Sequence, residues 1–304
     1  MNYHHIYHAG NFADIFKHII LCLTLEKFHE KTAPFFVLDT HAGIGKYDLS
    51  DVNSLKTFEA EAGIKKLICD NAARDPQNTL HLKDEVTKIL PPRYLKILAK
   101  VNRCEIAELS EKLKFYPGSP FIIQDYLRSQ DRAIFSELNR EDFIKLKRNF
   151  AGNKKFNITN EDGFHLLNSK LPPLEKRGLI LIDPAFEKDQ SLVSADYEKI
   201  INALKQGYKK FSHGIYLVWY PIINKKSLTP SLFYQEMTEL PFEKKLHVTF
   251  DLGKETDEEE KMNACGMFII NAPWQLDEKL KIVLPKILQI LKKSDEAKFE
   301  ITTF

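Results

Sequence analysis

A chain of 304 residues, 43% hydrophobic and 28% charged, can bury a sizeable core, and such values argue against long disorder. With 44 basic against 42 acidic side chains the net charge is only +2, so any nucleic-acid partner must be met by local patches rather than a global field. Cys22, Cys69, Cys104 and Cys265 lie far apart without a C-x-x-C pair, no apolar run reaches the roughly 18 residues of a membrane span, and "MNYHHIYHAG" lacks a signal-peptide layout; the expectation is a reduced, cytoplasmic protein with no membrane partner.

Taken in order, Phe12, Ile15, Phe16, Ile19, Leu23 and Phe28 recur at helical spacing and predict an N-terminal helix within Tyr3 to His29. The apolar run Phe35 to Leu38 predicts a strand that ends on Asp39 and enters a loop with two glycines, Gly43 and Gly45. From about Asp51 to Lys112 the sequence is charged and helix-forming, without a convincing strand, and predicts a helical insertion. After it, "FYPGSPFIIQDYLRSQ" opens a helix, "RAIFSELN" is a strand ending on Glu137, and "EDFIKLKRNF" is a helix. "KFNITNEDGFHLL" passes from strand to helix through Asp162-Gly163, and "RGLILIDPAF" is the next strand. Helix "ADYEKIINALKQGYKKF", strand "GIYLVWYP" and helix "SLFYQEMTEL" continue the alternation. Two final strands, "KLHVTFDL" and "CGMFIINAP", are joined by an acidic loop and are expected to pair antiparallel. Such alternation predicts an α/β protein with a mostly parallel sheet covered by helices.

Ligands of open parallel sheets bind outside the carboxyl ends of the strands. Four such ends carry the unusual residues: the Asp39 to Gly45 loop, Glu137, Asp162-Gly163, and Asp183-Pro184-Ala185-Phe186. Gly43 and Gly45 let backbone N–H groups approach a ligand, but a G-x-G-x-x-G fingerprint needs glycine at position 48, where the chain has Asp48, which weakens a nicotinamide or flavin reading. Glu137 suits the two hydroxyls of a ribose and equally a helix cap. Asp162 suits an N-cap and equally an adenine amino group.

The turn after the fourth of these strands has its own chemistry. An exocyclic adenine amine is a poor nucleophile because its lone pair is delocalised into the ring, and two acceptors on its N–H bonds draw that pair out. The Asp183 carboxylate and the Pro184 carbonyl supply two acceptors, and Phe186 supplies a stacking face worth roughly 1–3 kcal/mol. A sulfonium methyl then needs only in-line placement. Read alone, Asp-Pro after a strand is more often a simple turn.

In this combination the sequence resembles class I S-adenosylmethionine-dependent methyltransferases, with their [DNS]-P-P-[YFW] motif altered to Asp-Pro-Ala-Phe. More narrowly, "YHHIYHAGNFADIFKH", "LDTHAGIGKY", "YPGSP", "SEL", "EDGF", "RGLILIDPAF", "WYP" and "NAPW" resemble, in order and spacing, the RlmJ family of 23S ribosomal RNA adenine-N6 methyltransferases. The resemblance implies a Rossmann-like fold with a mostly parallel seven-stranded sheet and an antiparallel last strand. It also implies a methyltransferase domain over 1–50 and 113–304 with an inserted helical subdomain at 51–112. By matching motif, His18, His41, Gly43, Ser119, Glu137, Asp162, Gly163 and Asp183 would line the cofactor pocket; Asp183, Pro184 and Phe186 would form the catalytic motif; and Tyr3, Lys17 and Phe186 would meet the substrate. The implied cofactor is S-adenosylmethionine and the implied partner 23S ribosomal RNA, with no obligate protein partner. Ala185 stands where the family shows a second proline, which should relax the turn by about 0.4–1 kcal/mol and leave catalysis slower or unchanged.

Other readings remain at this stage. The target amine can belong to DNA adenine or to a protein amide, and an RNA-binding protein with the cofactor fold but little turnover would show the same motifs. His4, His5, His8 and His18 crowd the N-terminus without Cys or carboxylate at ligand spacing, so no metal is expected. Lysines and arginines around 145–155 and 205–226 are candidate phosphate contacts or plain solvated faces.

Overall fold

The computed structural model describes residues 4–70, 81–82, 84–153, 155–186, 195–222, 228–254 and 262–304. Its first long helix, α1 (Phe12–His29), lies within the expected span and starts at the first residue of the periodic set. Gly10 takes the left-handed conformation at φ +79°, and the Asn11 side chain accepts from the Asp14 N–H at 2.9 Å, so turn and cap fix the start; a short 3-10 turn, His5–Tyr7, precedes them.

Eight strands form the main sheet: β1 (Phe36–Asp39), β2 (Arg132–Ser136), β3 (Phe156–Thr159), β4 (Gly178–Ile182), β5 (Ile215–Ile222), β6 (Lys245–Asp251), β7 (Ala264–Ile270) and β8 (Lys298–Thr303). Their spatial order is β3-β2-β1-β4-β5-β7-β6-β8. The five strands from β3 to β5 are parallel, and β7 lies antiparallel between β5 and β6. The β6–β7 pairing is the antiparallel one expected, with Lys245 opposite Ile270. The sheet has one strand more than the seven expected: β8 pairs antiparallel with β6 at the edge, where half-exposed, charged "KFEITT" carries little apolar signal.

Helices α2 (Ser119–Tyr126), α3 (Arg140–Asn149), α4 (Gly163–Lys170), α5 (Ala195–Phe211), α6 (Leu228–Glu239) and α7 (Leu276–Leu291) cover both faces. Alternation along β4 divides the core: Leu179 and Leu181 join the apolar layer of α1, α2 and α7, while Ile180 and Ile182 join that of α4, α5 and α6. Burial on both faces is why the parallel strands read as unbroken apolar runs. Helix α7 is an addition to the sequence reading. Leu276, Leu280, Val283, Leu284, Ile287 and Leu291 give it a buried face despite Pro285 within it.

Between β1 and β2 the chain leaves the sheet. Lys46–Asp48 pairs antiparallel with Phe115–Pro117, which brings the two ends of the 51–112 segment side by side. That segment is helical, as expected, with one addition, a two-residue ladder of Cys69–Asp70 and His81–Leu82. Ile64, Leu67, Tyr94, Leu95 and Leu98 from this segment pack into the same layer as α1. Among the described residues no helix is long and apolar enough to cross a membrane.

Candidate active site

Neighbours β2 and β4 flank β1, and the chain order reverses between β1 and β4, so a crevice opens at their carboxyl ends. A cavity of about 630 Å³ occupies it. Turns after β1, β2 and β4 contribute His41, Gly43, Glu137, Asp183, Pro184 and Phe186; α1 contributes Lys17 and His18; and Ser119 enters from the start of α2. These residues, all singled out from sequence, therefore share one cavity.

The turn after β1 is held open by backbone contacts. Thr40 N–H donates to the Leu181 carbonyl at 3.1 Å and Ala42 N–H to that of Ser136 at 2.8 Å, tying it to β4 and β2. Gly43 has φ +59°, the left-handed region that favours glycine, and a Cβ there would stand 2.1 Å from the Tyr47 hydroxyl and have to push it aside. Its N–H donates to Glu137 Oε2 at 2.8 Å, while Asn139 N–H donates to Oε1 at the same distance. Burial raises the Glu137 carboxyl above its ordinary value, and those two N–H groups oppose the rise.

Burial also sets the two cavity histidines. It pushes His18 down to about 3 and His41 down to about 4, so both imidazoles are neutral at pH 7. His18 Nδ1 lies 2.9 Å from the Tyr116 hydroxyl, which in turn meets that of Tyr94.

At the end of β1 sits Asp39, fully buried, with the Ser119 hydroxyl and the His41 N–H near its carboxylate but neither in good hydrogen-bonding geometry. Burial raises its carboxyl to about 7; the nearby Ser119 hydroxyl opposes the rise, and the Asp183 charge adds to it.

Asp183 is met by a lysine. Its Oδ2 accepts from Lys17 Nζ in a short contact, and the same ammonium lies 2.9 Å from Asp14 Oδ1. Burial alone would depress the Lys17 ammonium, but the Asp14 and Asp183 carboxylates outweigh it and hold its pKa above the usual lysine range. Burial would correspondingly raise Asp14; His5 and Lys17 overcome that and hold it well below the usual carboxylate range. Lys17, expected on the substrate side, is thus bound to the carboxylate of the catalytic motif. Asp14 was not singled out from sequence, although its i,i+3 spacing to Lys17 on an otherwise apolar helix is a readable signal.

Phe186 departs from a free stacking face. Its φ is +48°, its N–H donates to Asp196 Oδ2 at 3.1 Å, and its ring, 8% exposed, packs against Tyr197 and Trp219 at centroid distances of 4.9 and 5.8 Å. Trp219, from "WYP", lines the cavity as well.

Asp162 and Gly163 are not among the cavity-lining residues. Asp162 caps α4, its Oδ1 accepting from Phe164 and His165 N–H at 2.8 and 3.2 Å. Gly163 packs against the turn after β1, where a Cβ would meet the Thr40 carbonyl at 2.1 Å, and the Phe164 ring stands edge-on to His41. The pair supports the cavity wall from behind His41. Tyr3, Lys154, Lys225 and Lys226 lie outside the described residues. His4, His5 and His8 pair with three different carboxylates, Asp142, Asp14 and Glu59.

The strand order and a cavity at the β1/β4 switch point define a Rossmann-like methyltransferase fold. A family model described as "Ribosomal RNA large subunit methyltransferase D, RlmJ" matches residues 32–302. The chain is 36% identical over 291 residues to "Ribosomal RNA large subunit methyltransferase J" of Haemophilus influenzae, covering 96% of this chain and 94% of the relative. It is 34% identical over 285 residues to the Escherichia coli protein of the same name, covering 94% and 92%. A crystal structure of a Legionella pneumophila protein superposes with a TM-score of 0.79 at 34% identity, covering 97% of this chain and 98% of that one. The chain belongs to the RlmJ family of ribosomal RNA large subunit methyltransferases.

Proposed function

We propose that this protein transfers a methyl group from S-adenosylmethionine to the N6 amine of an adenine in 23S ribosomal RNA. The observation that carries the reading is the turn after β4, which presents Asp183 and Pro184 to a cavity at the sheet's switch point. The names of the relatives, ribosomal RNA large subunit methyltransferases, support the substrate class, and that substrate goes with a cytoplasmic setting.

The residues present fit a cationic cofactor. Asp39 is a buried carboxylate at the end of β1 without a hydrogen bond of good geometry, and the cavity wall carries five carboxylates, Asp14, Glu59, Glu137, Asp142 and Asp183, against three lysines, Lys17, Lys66 and Lys293. S-adenosylmethionine, when bound, supplies a methyl group on a sulfonium. His18, His41, Gly43, Ser119 and Glu137 would hold it, with Gly163 shaping the wall; Asp162 lies behind that wall, and the Oδ2 its cap leaves unused would meet the adenine amino group only where the ring reaches past His41. Because His18 and His41 are neutral at working pH, they add no positive charge to a site that must accept a cation.

A base in folded RNA must leave its stack to reach such a cavity. Lys17 holds Asp183 Oδ2, which leaves Oδ1 to accept one N–H of the target amine while the Pro184 carbonyl accepts the other. Two acceptors turn the nitrogen lone pair out of the ring plane, and the Asp183 carboxylate is placed to receive the proton that the methylated nitrogen sheds. Phe186, wedged between Tyr197 and Trp219, fixes the turn and closes one side of the site. Residues 51–112 we read as an inserted helical unit on a methyltransferase domain of residues 1–50 and 113–304.

The test is transfer of labelled methyl from S-adenosylmethionine to unmodified 23S ribosomal RNA, with nucleoside analysis of the product. Label should appear as N6-methyladenosine, and Asp183→Asn should cut kcat by about 10²–10³ while cofactor affinity is largely kept. Full activity in that variant would sink the mechanism. Label on DNA or protein but not RNA would reassign the substrate.

A further inference from the structure

We propose that Asp14 is a positioning residue for Asp183, acting through Lys17 by fixing where the ammonium sits and how much negative charge the site retains. The inference rests on the reading of Asp183 as the acceptor of the target amine.

Asp14 is 2% exposed and fully engaged. Its Oδ2 accepts from the Gly10 N–H at 3.0 Å and lies 2.9 Å from His5 Nε2, and its Oδ1 meets Lys17 Nζ at 2.9 Å. Its own N–H is taken by the Asn11 cap. It stands in the first turn of α1, where the helix dipole favours an anion, and it is held far below the usual carboxylate range. Asp14 is therefore a fixed, permanently charged anchor. Lys17, by contrast, is a point charge on a flexible four-carbon stem, and only its partners give it a place.

Charge follows from the same geometry. A Lys17–Asp183 pair alone is neutral, and an ammonium free to close on Asp183 would compete with the target amine for both carboxylate oxygens. With Asp14 the three groups carry one net negative charge before the His5 imidazole on Asp14 Oδ2 is counted, and the ammonium is shared between two carboxylates. Methyl transfer moves positive charge onto the attacking nitrogen beside Asp183, so a net anionic cluster favours the transition state over the ground state, whereas a neutral pair does not. Asp14 touches neither methyl donor nor amine in this scheme.

The experiment measures kcat and KM for 23S ribosomal RNA, together with cofactor Kd by calorimetry, for the full chain and for Asp14→Asn, Lys17→Met and the double variant, with Asp183→Asn as control. Asp14→Asn should lower kcat roughly 10–100-fold, as loss of an outer-shell partner does elsewhere, with KM and cofactor Kd changed less than about threefold. In the Lys17→Met background the same substitution should change kcat less than about twofold, because the residue through which it acts is gone. Undiminished kcat in Asp14→Asn, or an equal loss in both backgrounds, overturns the proposal. If Asp14→Asn does not fold, Asp14→Glu, which keeps the charge and moves it by one methylene, is read the same way. Retained activity in Asp183→Asn defeats the underlying reading of the site whatever Asp14 shows; an inactive Asp183→Asn beside a fully active Asp14→Asn defeats the Asp14 proposal alone.

Discussion

Two turns at the carboxyl edge of the sheet, the one after β3 and the one after β4, each begin on an aspartate and on this reading each faces an exocyclic adenine amine. They differ in what satisfies the carboxylate. Asp162 binds the N–H groups two and three residues ahead of it, so its partners are local and its role in capping α4 is set by the turn itself. At Asp183 the corresponding donors are the Ala185 and Phe186 N–H groups, and the Phe186 N–H goes to Asp196 instead. The partner of Asp183 is Lys17, 166 positions away, buried and already shared with Asp14. A carboxylate consumed by its own helix can bind an amine with one oxygen; a carboxylate tethered by a distant cation is held in place at a cavity. The same residue type at equivalent edges thus serves binding in one case and chemistry in the other.

The sharpest way to break this contrast is to remove the tether. Lys17→Met removes the ammonium that joins Asp14 to Asp183 and leaves two carboxylates that are 2% and 15% exposed, with only His5 still on Asp14. Deleting one partner of a buried ion pair costs about 3 kcal/mol or more, so urea denaturation should show a loss near that size and methyl transfer should fall as well. A variant as stable as the parent would mean that Lys17 contributes no more than an exposed ion pair, and the distinction between the two turns would fail.

Between the two turns, at the end of β1, Asp39 represents a third condition: two donors nearby, the Ser119 hydroxyl and the His41 N–H, and neither in good geometry. Its carboxyl, 3.8 in a free chain, stands at about 7 when folded, so between those values the folded protein holds a proton that the unfolded chain has released. Stability from this group is complete below the unfolded value and is lost as pH rises toward 7. The free protein should therefore lose about 2 kcal/mol relative to Asp39→Asn between pH 5 and pH 7, measured as the difference of their denaturation curves. Parallel pH profiles would show that Asp39 finds a partner in the folded state. The same substitution should weaken cofactor binding, since it removes the buried charge that a cation would satisfy.

How much of this was legible in the sequence follows from which forces act locally. Runs such as "GLILI" announce buried parallel strands because both faces are covered, and the strand-end aspartates and glycines stand out against them. The Asp183 turn was legible as chemistry for that reason. The partners of its carboxylate were not: Lys17 and Asp14 share one helix turn, but nothing in their spacing says that this turn lies under the end of β4. Helix α7 was hidden by Pro285, and β8 by a half-exposed edge whose alternation is broken by charge. For Phe186 the residue type was informative and the environment was not, since burial against Tyr197 and Trp219 depends on α5 and β5 packing across the turn. Nor does residue type distinguish a capping aspartate from a ligand-holding one, because both roles favour the same side chain at the same place.

The smallest effect tests that last ambiguity. Asn is as good an N-cap as Asp, so Asp162→Asn should keep the α4 cap and leave the melting temperature within about 2 °C, whereas Asp162→Ala should cost about 1 kcal/mol of stability. With its carbonyl oxygen on the cap, the amide introduced by Asp162→Asn turns an NH₂ to the place that Asp162 Oδ2 holds, so a donor replaces an acceptor opposite the adenine amino group. Cofactor Kd should then rise by roughly 5–10-fold, the size of one lost hydrogen bond, in both variants. An unchanged Kd in Asp162→Asn together with the stability loss in Asp162→Ala would make the turn after β3 a cap alone. The comparison would then be sharper than proposed, because only the carboxylate denied its own helix would have a ligand.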